Sequence, residues 1–166
     1  GKYYPGYDFV SRTSSAADGD GVDGDATDPG DWNAADGCGS GSDASNSSWH
    51  GTQTAGIIGA STDNNLGMAS VGRNVRLLPV RVLGQCGGYD DDIIAGMRWA
   101  AGLTVAGVPA NPHPARVLNL SLGGTGSSSS SYADAVSEIV AAGSVIVVAA
   151  GNSSGYNYAS GRLDHQ

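Results

Sequence analysis

The sequence predicts an α/β protein built on a doubly wound parallel sheet, three layers deep in the order α/β/α. Two observations carry this. From residue 51 onwards, short β-rich apolar runs alternate with segments of helical period, and the runs are apolar on both faces, as strands covered on both sides require. Each run also ends in a glycine-rich segment, and in open α/β sheets ligands bind outside the carboxyl ends of the strands.

The elements follow in chain order. Residues 11–48 are almost all Ser, Asp, Gly, Ala and Asn, without helical or strand period, and read as one long loop. "GTQTAGIIGAS" (51–61) reads as a small-residue helix, and "VRLLPVRVL" (75–83) as a strand. "DDDIIAGMRWAAGLTVAG" (90–107) opens on acidic residues suited to a helix N-terminus and closes on Gly, so it reads as a helix. "ARVLNLSLG" (115–123) is again a strand. "SYADAVSEIVAAG" (131–143) carries apolar residues at helical spacing, and "SVIVVAAG" (144–151) is a continuous apolar strand. The segments "LGQCGGY", "SLGGTG" and "AAGNSSG" stand where the chemistry is expected, and their glycines let a partner approach the backbone.

The chain's 166 residues suit one domain. A formal net charge of −8 disfavours a polyanionic partner, so nucleic acid is not expected. No apolar run approaches the roughly 20 residues of a membrane helix, and no signal-peptide pattern opens the chain. A soluble protein without a membrane partner is the expectation.

His50, in "NSSWHGTQTAG", is the first candidate for acid/base chemistry. A lone histidine before a helix is more often a structural hydrogen-bonding group. Here Gly51, Ala55, Gly56 and Gly59 leave little side-chain volume on the helix, and His50 would be held at its first turn, as a general base must be. A helix N-terminus disfavours imidazolium, so a catalytic role calls for an Asp opposite.

Taken in order, "WHGTQTAG", "LPVRVLGQCGGYDDDIIAGMRWAAG", "VLNLSLGG" and "VIVVAAGNSSG" resemble the subtilisin-like serine proteases, the subtilase family, over roughly residues 6–155. The likeness is greatest to secreted bacterial members with an Asp-rich insert before the histidine. The resemblance implies a subtilisin-like fold and a serine endopeptidase that cuts peptide bonds in proteins. It gives His50 the general base's place and Asn152 that of the side chain stabilising the oxyanion. Ser121, Leu122 and Gly123 match one substrate-binding edge, and Gly87, Gly88 and Tyr89 the other, so that a peptide would lie between them as an added strand. Ala149, Ala150 and Gly151 match the further wall of the pocket for the residue before the cut.

Two family motifs have no match here. The "DTG"-type segment with the catalytic Asp precedes the family's equivalent of "GYDFV", and the "GTSMAxP" segment with the nucleophilic Ser follows "AAGN". The chain therefore reads as the central part of a catalytic domain, to be completed by other segments of that domain. A peptide-gripping pseudoprotease on the same fold is the alternative, and a nucleotide-binding domain is disfavoured because neither GxGxxG nor a P-loop is present. Gln53 stands where the family usually has a second histidine.

The stretch "ADGDGVDGDATDPGDW" places six carboxylates at Asp18, Asp20, Asp23, Asp25, Asp28 and Asp31. One reading is a solvated acidic loop. The other is calcium, a hard cation taking 6–8 oxygens, with Asp18, Asp20, Asp25, Asp31 and the Val22 carbonyl as ligands. In "STDNNLGM", Asp63 and Asn65 mark a second calcium loop, or an ordinary polar turn. Cys38 and Cys86 have no zinc spacing. The extracellular setting implied by the resemblance favours a disulfide between them over two separate thiols.

Overall fold

The computed structural model describes residues 2–124 and 129–152. It falls into two compact units, Gly1–Gly96 and Met97–Gln166.

In the first unit, strand β1 (Tyr7–Asp8) runs parallel to β2 (Val80–Arg81), pairing Tyr7 with Val80 and Asp8 with Arg81. The predicted strand over 75–83 is thus short. Outside β2 its one ladder contact is a bridge from Leu77 to Tyr3, and Pro79 has no N–H to give, serving only as acceptor for the Tyr7 amide. Helix α1 (Thr13–Ala16) is a single turn in the long acidic stretch. Helix α2 (His50–Gly59) matches the expected small-residue helix, and its C-terminus is held by Lys2, whose Nζ donates to the carbonyls of Gly59 and Ala60 at 3.1 and 2.9 Å.

Phe9, Val10, Ala16 and Ile93 are the buried apolar side chains of this unit. Helix α3 (Asp90–Ala100) begins here, and its Gly96 lies so near β2 that an added Cβ would stand 2.5 Å from Val82 Cγ1. Three aspartates in its first turn complement the positive end of the helix. The helix stops at Ala100, short of the expected 107. Gly102 takes φ +84°, its amide reaches Trp99 O at 2.9 Å, and the Leu103 amide reaches Arg98 O at 2.9 Å. This is the paired 5→2 and 6→1 bonding of a Schellman stop, which needs the left-handed residue that glycine supplies.

The second unit is a strand–helix–strand crossover. Strand β3 (Val117–Leu120) pairs in parallel with β4 (Val145–Val148), from Val117↔Val145 to Leu120↔Val148, and α4 (Ser130–Ala141) connects them. Ala135 and Ile139, one turn apart on α4, are buried, as are Leu118 and Leu120. A second Schellman stop ends α4: Gly143, at φ +92°, bonds Val140 O, and Ser144 bonds Ile139 O. The expectation was a sheet covered on both faces. Among the described residues one face is covered, while Val117, Val145 and Val147 are more than half exposed. No helix among the described residues is long and apolar enough to cross a membrane.

Candidate active site

His50 is the first residue of α2, and the turn before it is unusual. Trp49 sits in the left-handed region at φ 51°, ψ 29°, a costly conformation for a bulky residue unless its neighbours impose it. They do so by lacing two stretches of chain together. Asn33 and Ser45 exchange both backbone hydrogen bonds, at 3.0 and 2.9 Å, and the Trp32 amide donates to Ser47 Oγ. The Asp31 carboxylate accepts the Ser48 amide at 2.5 Å on one oxygen and the Ser48 hydroxyl at 2.7 Å on the other. Burial pushes the Asp31 carboxyl up. The Ser48 hydroxyl and amide outweigh it, with help from the charge of His50, and hold the group below the usual carboxylate range. From inside the helix, Gln53 Nε2 donates to Ser48 O at 2.9 Å, so the departure from the usual histidine supplies a local brace. His50 itself is exposed.

Gly87, Gly88 and Tyr89 form a tight loop after β2. Gly84 and Gly87 bridge, Cys86 and Gly87 both have positive φ, and Gln85 is fixed by its amide to Ser15 O at 2.7 Å and its side chain to Trp32 O at 2.6 Å. The Arg12 guanidinium lies over the Tyr89 ring, 3.1 Å from its centroid. Cys86 is bonded to Cys38, as expected, and the bridge ties the acidic stretch to this edge. Closing a loop with a sequence separation of 48 limits the unfolded chain by about 4 kcal/mol in the chain-entropy picture.

In the second unit, Ser121, Leu122 and Gly123 follow β3, and Ala149, Ala150, Gly151 and Asn152 follow β4. Because Leu120 pairs with Val148 and the Ala149 amide donates to Leu120 O at 3.0 Å, the two predicted pocket walls leave the sheet side by side. Asn119 Nδ2 donates to Ser121 Oγ at 2.9 Å and steadies the first of them. Asn152 is exposed, and Gly151 has φ +88°. His50 belongs to the first unit and Asn152 to the second. Residues 125–126 and 153–155 of the glycine-rich segments lie outside the described residues.

The acidic residues are distributed differently from a ready-made cation cage, and no group of three or more His, Cys, Asp or Glu among the described residues is arranged to hold a metal. Asp18 pairs with Arg81 at 2.5 Å, Asp25 accepts the Thr27 amide and hydroxyl, Asp31 is taken by Ser48, and Asp63 pairs with Arg73 at 2.5 Å. Asn65 is in a left-handed turn. The exception is Asp20, whose carboxyl is pushed up by the charge of Asp23 first and that of Asp18 after it.

Arg81 is the residue that sequence reading passed over. It is buried, and its guanidinium meets the fully buried Asp8 at 2.5 Å, Asp18 at 2.5 Å, and the Ala16 carbonyl. Asp8 in turn accepts the Val10 amide at 2.7 Å. Burial raises the Asp8 carboxyl, while the Asp20 amide and then Arg81 outweigh burial at Asp18 and lower it. The signal was present: an arginine within the apolar run "LLPVRVL" needs a buried partner.

The family model "Subtilase family" matches residues 10–164. Among relatives, the chain is 50% identical over 147 residues to an extracellular protease of Xanthomonas campestris pv. campestris, covering 89% of this chain and 25% of that protein. It is 46% identical over 156 residues to the extracellular basic protease of Dichelobacter nodosus, covering 92% and 26%. A solved structure of a protease from Pseudoalteromonas arctica PAMC 21717 matches with a TM-score of 0.88 and 52% identity, over 91% of this chain and 44% of that one. The chain thus spans about a quarter of the length of these curated relatives. A family match across nearly the whole chain, on this fold, identifies it as a member of the subtilase family.

Proposed function

We propose that the protein is a secreted serine endopeptidase, cutting peptide bonds by acyl transfer. The observation that carries this is the placement of His50 as the first residue of α2, after a Ser48 held by both Asp31 and Gln53, in a chain of the subtilase family. In this reading a serine from another segment of the same domain attacks the scissile carbonyl. His50 takes its proton and returns it to the leaving amine, and an aspartate from another segment orients the imidazole. Asn152 and a backbone amide hold the oxyanion. The 121–123 edge takes substrate backbone, the 87–89 edge is a second candidate for the same pairing, and the side chain before the cut enters the pocket walled by 121–123 and 149–151. The small residues Ala149, Ala150 and Gly151 suit a sizeable apolar side chain.

The same reading gives the bare valine face of β3 and β4 an occupant. Val117, Val145 and Val147 take a covering layer from the remaining segments of the domain, since apolar strands of a parallel sheet are buried on both faces. Secretion is supported by the relatives' names and by the disulfide.

A fluorophosphonate probe tests the activity. The protein expressed from its complete gene is expected to take up one probe on a serine and to lose peptidase activity in step. Absence of labelling would favour a peptide-binding protein without catalysis.

Calcium belongs to the proposal as a stabilising ion. Asp18 and Asp31 are committed to Arg81 and Ser48, so the ion would have to gather Asp20, Asp23, Asp25 and the Val22 carbonyl, whose carboxylates form no preset cage among the described residues. Their mutual repulsion is the support, because a divalent cation relieves it and supplies no chemistry to the reaction. Asp63 and Asn65 would form a second, weaker loop in which calcium competes with Arg73. Thermal unfolding in excess calcium and in excess EGTA should differ by a stabilisation of about 2.7 kcal/mol when the ion is at a hundred times its dissociation constant. The Asp20→Asn variant should lose most of that difference, and identical curves in calcium and EGTA would remove calcium from the reading.

A further inference from the structure

We propose that Asp31 is a positioning residue for His50, acting through Ser48. The inference rests on the peptidase reading above, in which His50 is the general base. Both Asp31 oxygens are engaged by Ser48, at 2.5 Å to its amide and 2.7 Å to its hydroxyl. Because that hydroxyl donates its only proton to Asp31, its lone pairs face the other way, and they accept the His50 amide at 3.3 Å. The three groups form a directed chain from a carboxylate to the backbone of the histidine.

The surrounding geometry shows why this chain matters for aim as well as for folding. Between Ser48 and His50 stands the left-handed Trp49, a conformation that persists only where its neighbours are held. Asp31 holds the Ser48 amide and hydroxyl, and Gln53, from one turn into the helix, ties the Ser48 carbonyl to α2. Gly30, at φ +96°, keeps the acidic stretch close. A Cβ there would meet Ser47 and come within 3.5 Å of the Trp49 ring. Releasing Asp31 therefore lets the first turn of α2 rotate about Trp49, and the imidazole turns with it. The carboxylate touches neither the imidazole ring nor a substrate in this scheme. Its effect is on orientation, where a displacement of about 1 Å can cost about a hundredfold. A negative group beside a helix N-terminus also favours the helix itself.

The test uses the protein expressed from its complete gene, with rates normalised to the sites titrated by a fluorophosphonate. Asp31→Ala is expected to lower kcat per titrated site by about 10- to 100-fold, with KM changed by less than about twofold. Asp31→Asn keeps an acceptor for Ser48 and should recover part of the loss. Ser48→Ala should match Asp31→Ala, and the double variant should be no worse than either, since all three cut the same chain. A purely structural Asp31 would reduce the number of titrated sites and leave kcat per site intact. That result, or losses that multiply in the double variant, overturns the proposal. A protein in which no site is labelled overturns the peptidase reading and this role with it, whereas labelled variants of full kcat overturn this role alone.

Discussion

His50→Ala should lower kcat by about 10⁶, with little change in unfolding temperature. The size of the effect follows from the division of labour in a triad. Without the base, the serine hydroxyl attacks as a weak nucleophile, and the leaving amine departs without its proton. What remains is the contribution of the oxyanion site and of substrate binding, which do not need the imidazole. The small effect on stability follows from exposure: His50 is at the surface, and the hydrogen bond it gives to Ser48 is made by its backbone amide, which alanine retains. Steady-state kinetics on a peptide substrate, paired with a melting curve, checks both halves. A loss of less than about tenfold would mean that His50 is not the base.

Arg81→Leu should destabilise the protein by about 3–5 kcal/mol in urea unfolding, the largest stability effect expected of any substitution at a charged residue here. The arginine answers a fully buried carboxylate, Asp8, and a partly buried one, Asp18, and it also satisfies the Ala16 carbonyl. Leucine leaves Asp8 without its counter-charge in the core of the β1–β2 pair, beside Phe9 and Val10. The pH dependence supplies a second reading of the same event. Burial raises the folded-state pKa of Asp8 above its unfolded value near 3.9, so within that window the folded state holds more protons and stability rises as pH falls. Removing Arg81 takes away a lowering influence and widens the window, so the variant should regain stability on mild acidification more steeply than the parent. Asp18, lowered in the folded state, works in the opposite sense and loses its contribution only below the ordinary carboxylate range. A double variant, Asp8→Asn with Arg81→Leu, should be less damaged than Arg81→Leu alone, because the orphaned charge is gone. An Arg81→Leu variant within about 1 kcal/mol of the parent would show that the buried pair is dispensable.

Much of the second unit was legible because its signals are local. The apolar runs of β3 and β4, and the spacing that places Ala135 and Ile139 on one face of α4, are properties of short windows. The start of α3 was equally plain in three consecutive aspartates. Its end was not, because Gly102 and Gly107 are both acceptable stops by composition, and only the bonds from Gly102 and Leu103 choose between them. The two-residue strand β1 carries no period at all, and its existence depends on pairing with a segment some seventy positions away. The partial site divides along the same line. The Cys38–Cys86 bond follows from the extracellular setting that the resemblance implies, and the adjacency of the segments after β3 and β4 follows from the apolar runs that pair. The fates of the carboxylates do not. Which aspartate meets Arg81, Ser48, Thr27 or Arg73 is decided by tertiary approach, and a run of identical side chains conceals it.

The bond between Cys38 and Cys86 has one more consequence, for durability towards proteolysis. The stretch it encloses includes a turn-rich region where Leu66 and Val71 are 75% and 90% exposed, the sort of surface at which a neighbouring peptidase makes its first cut. A single nick anywhere between the two cysteines yields two polypeptides that remain one covalent molecule, and after a nick beyond His50 the histidine-bearing piece and the Tyr89 edge are still joined at the sulfur atoms. Damage that would scatter an unlinked chain leaves this one in place, able to persist in its nicked form until the sulfur link itself is reduced.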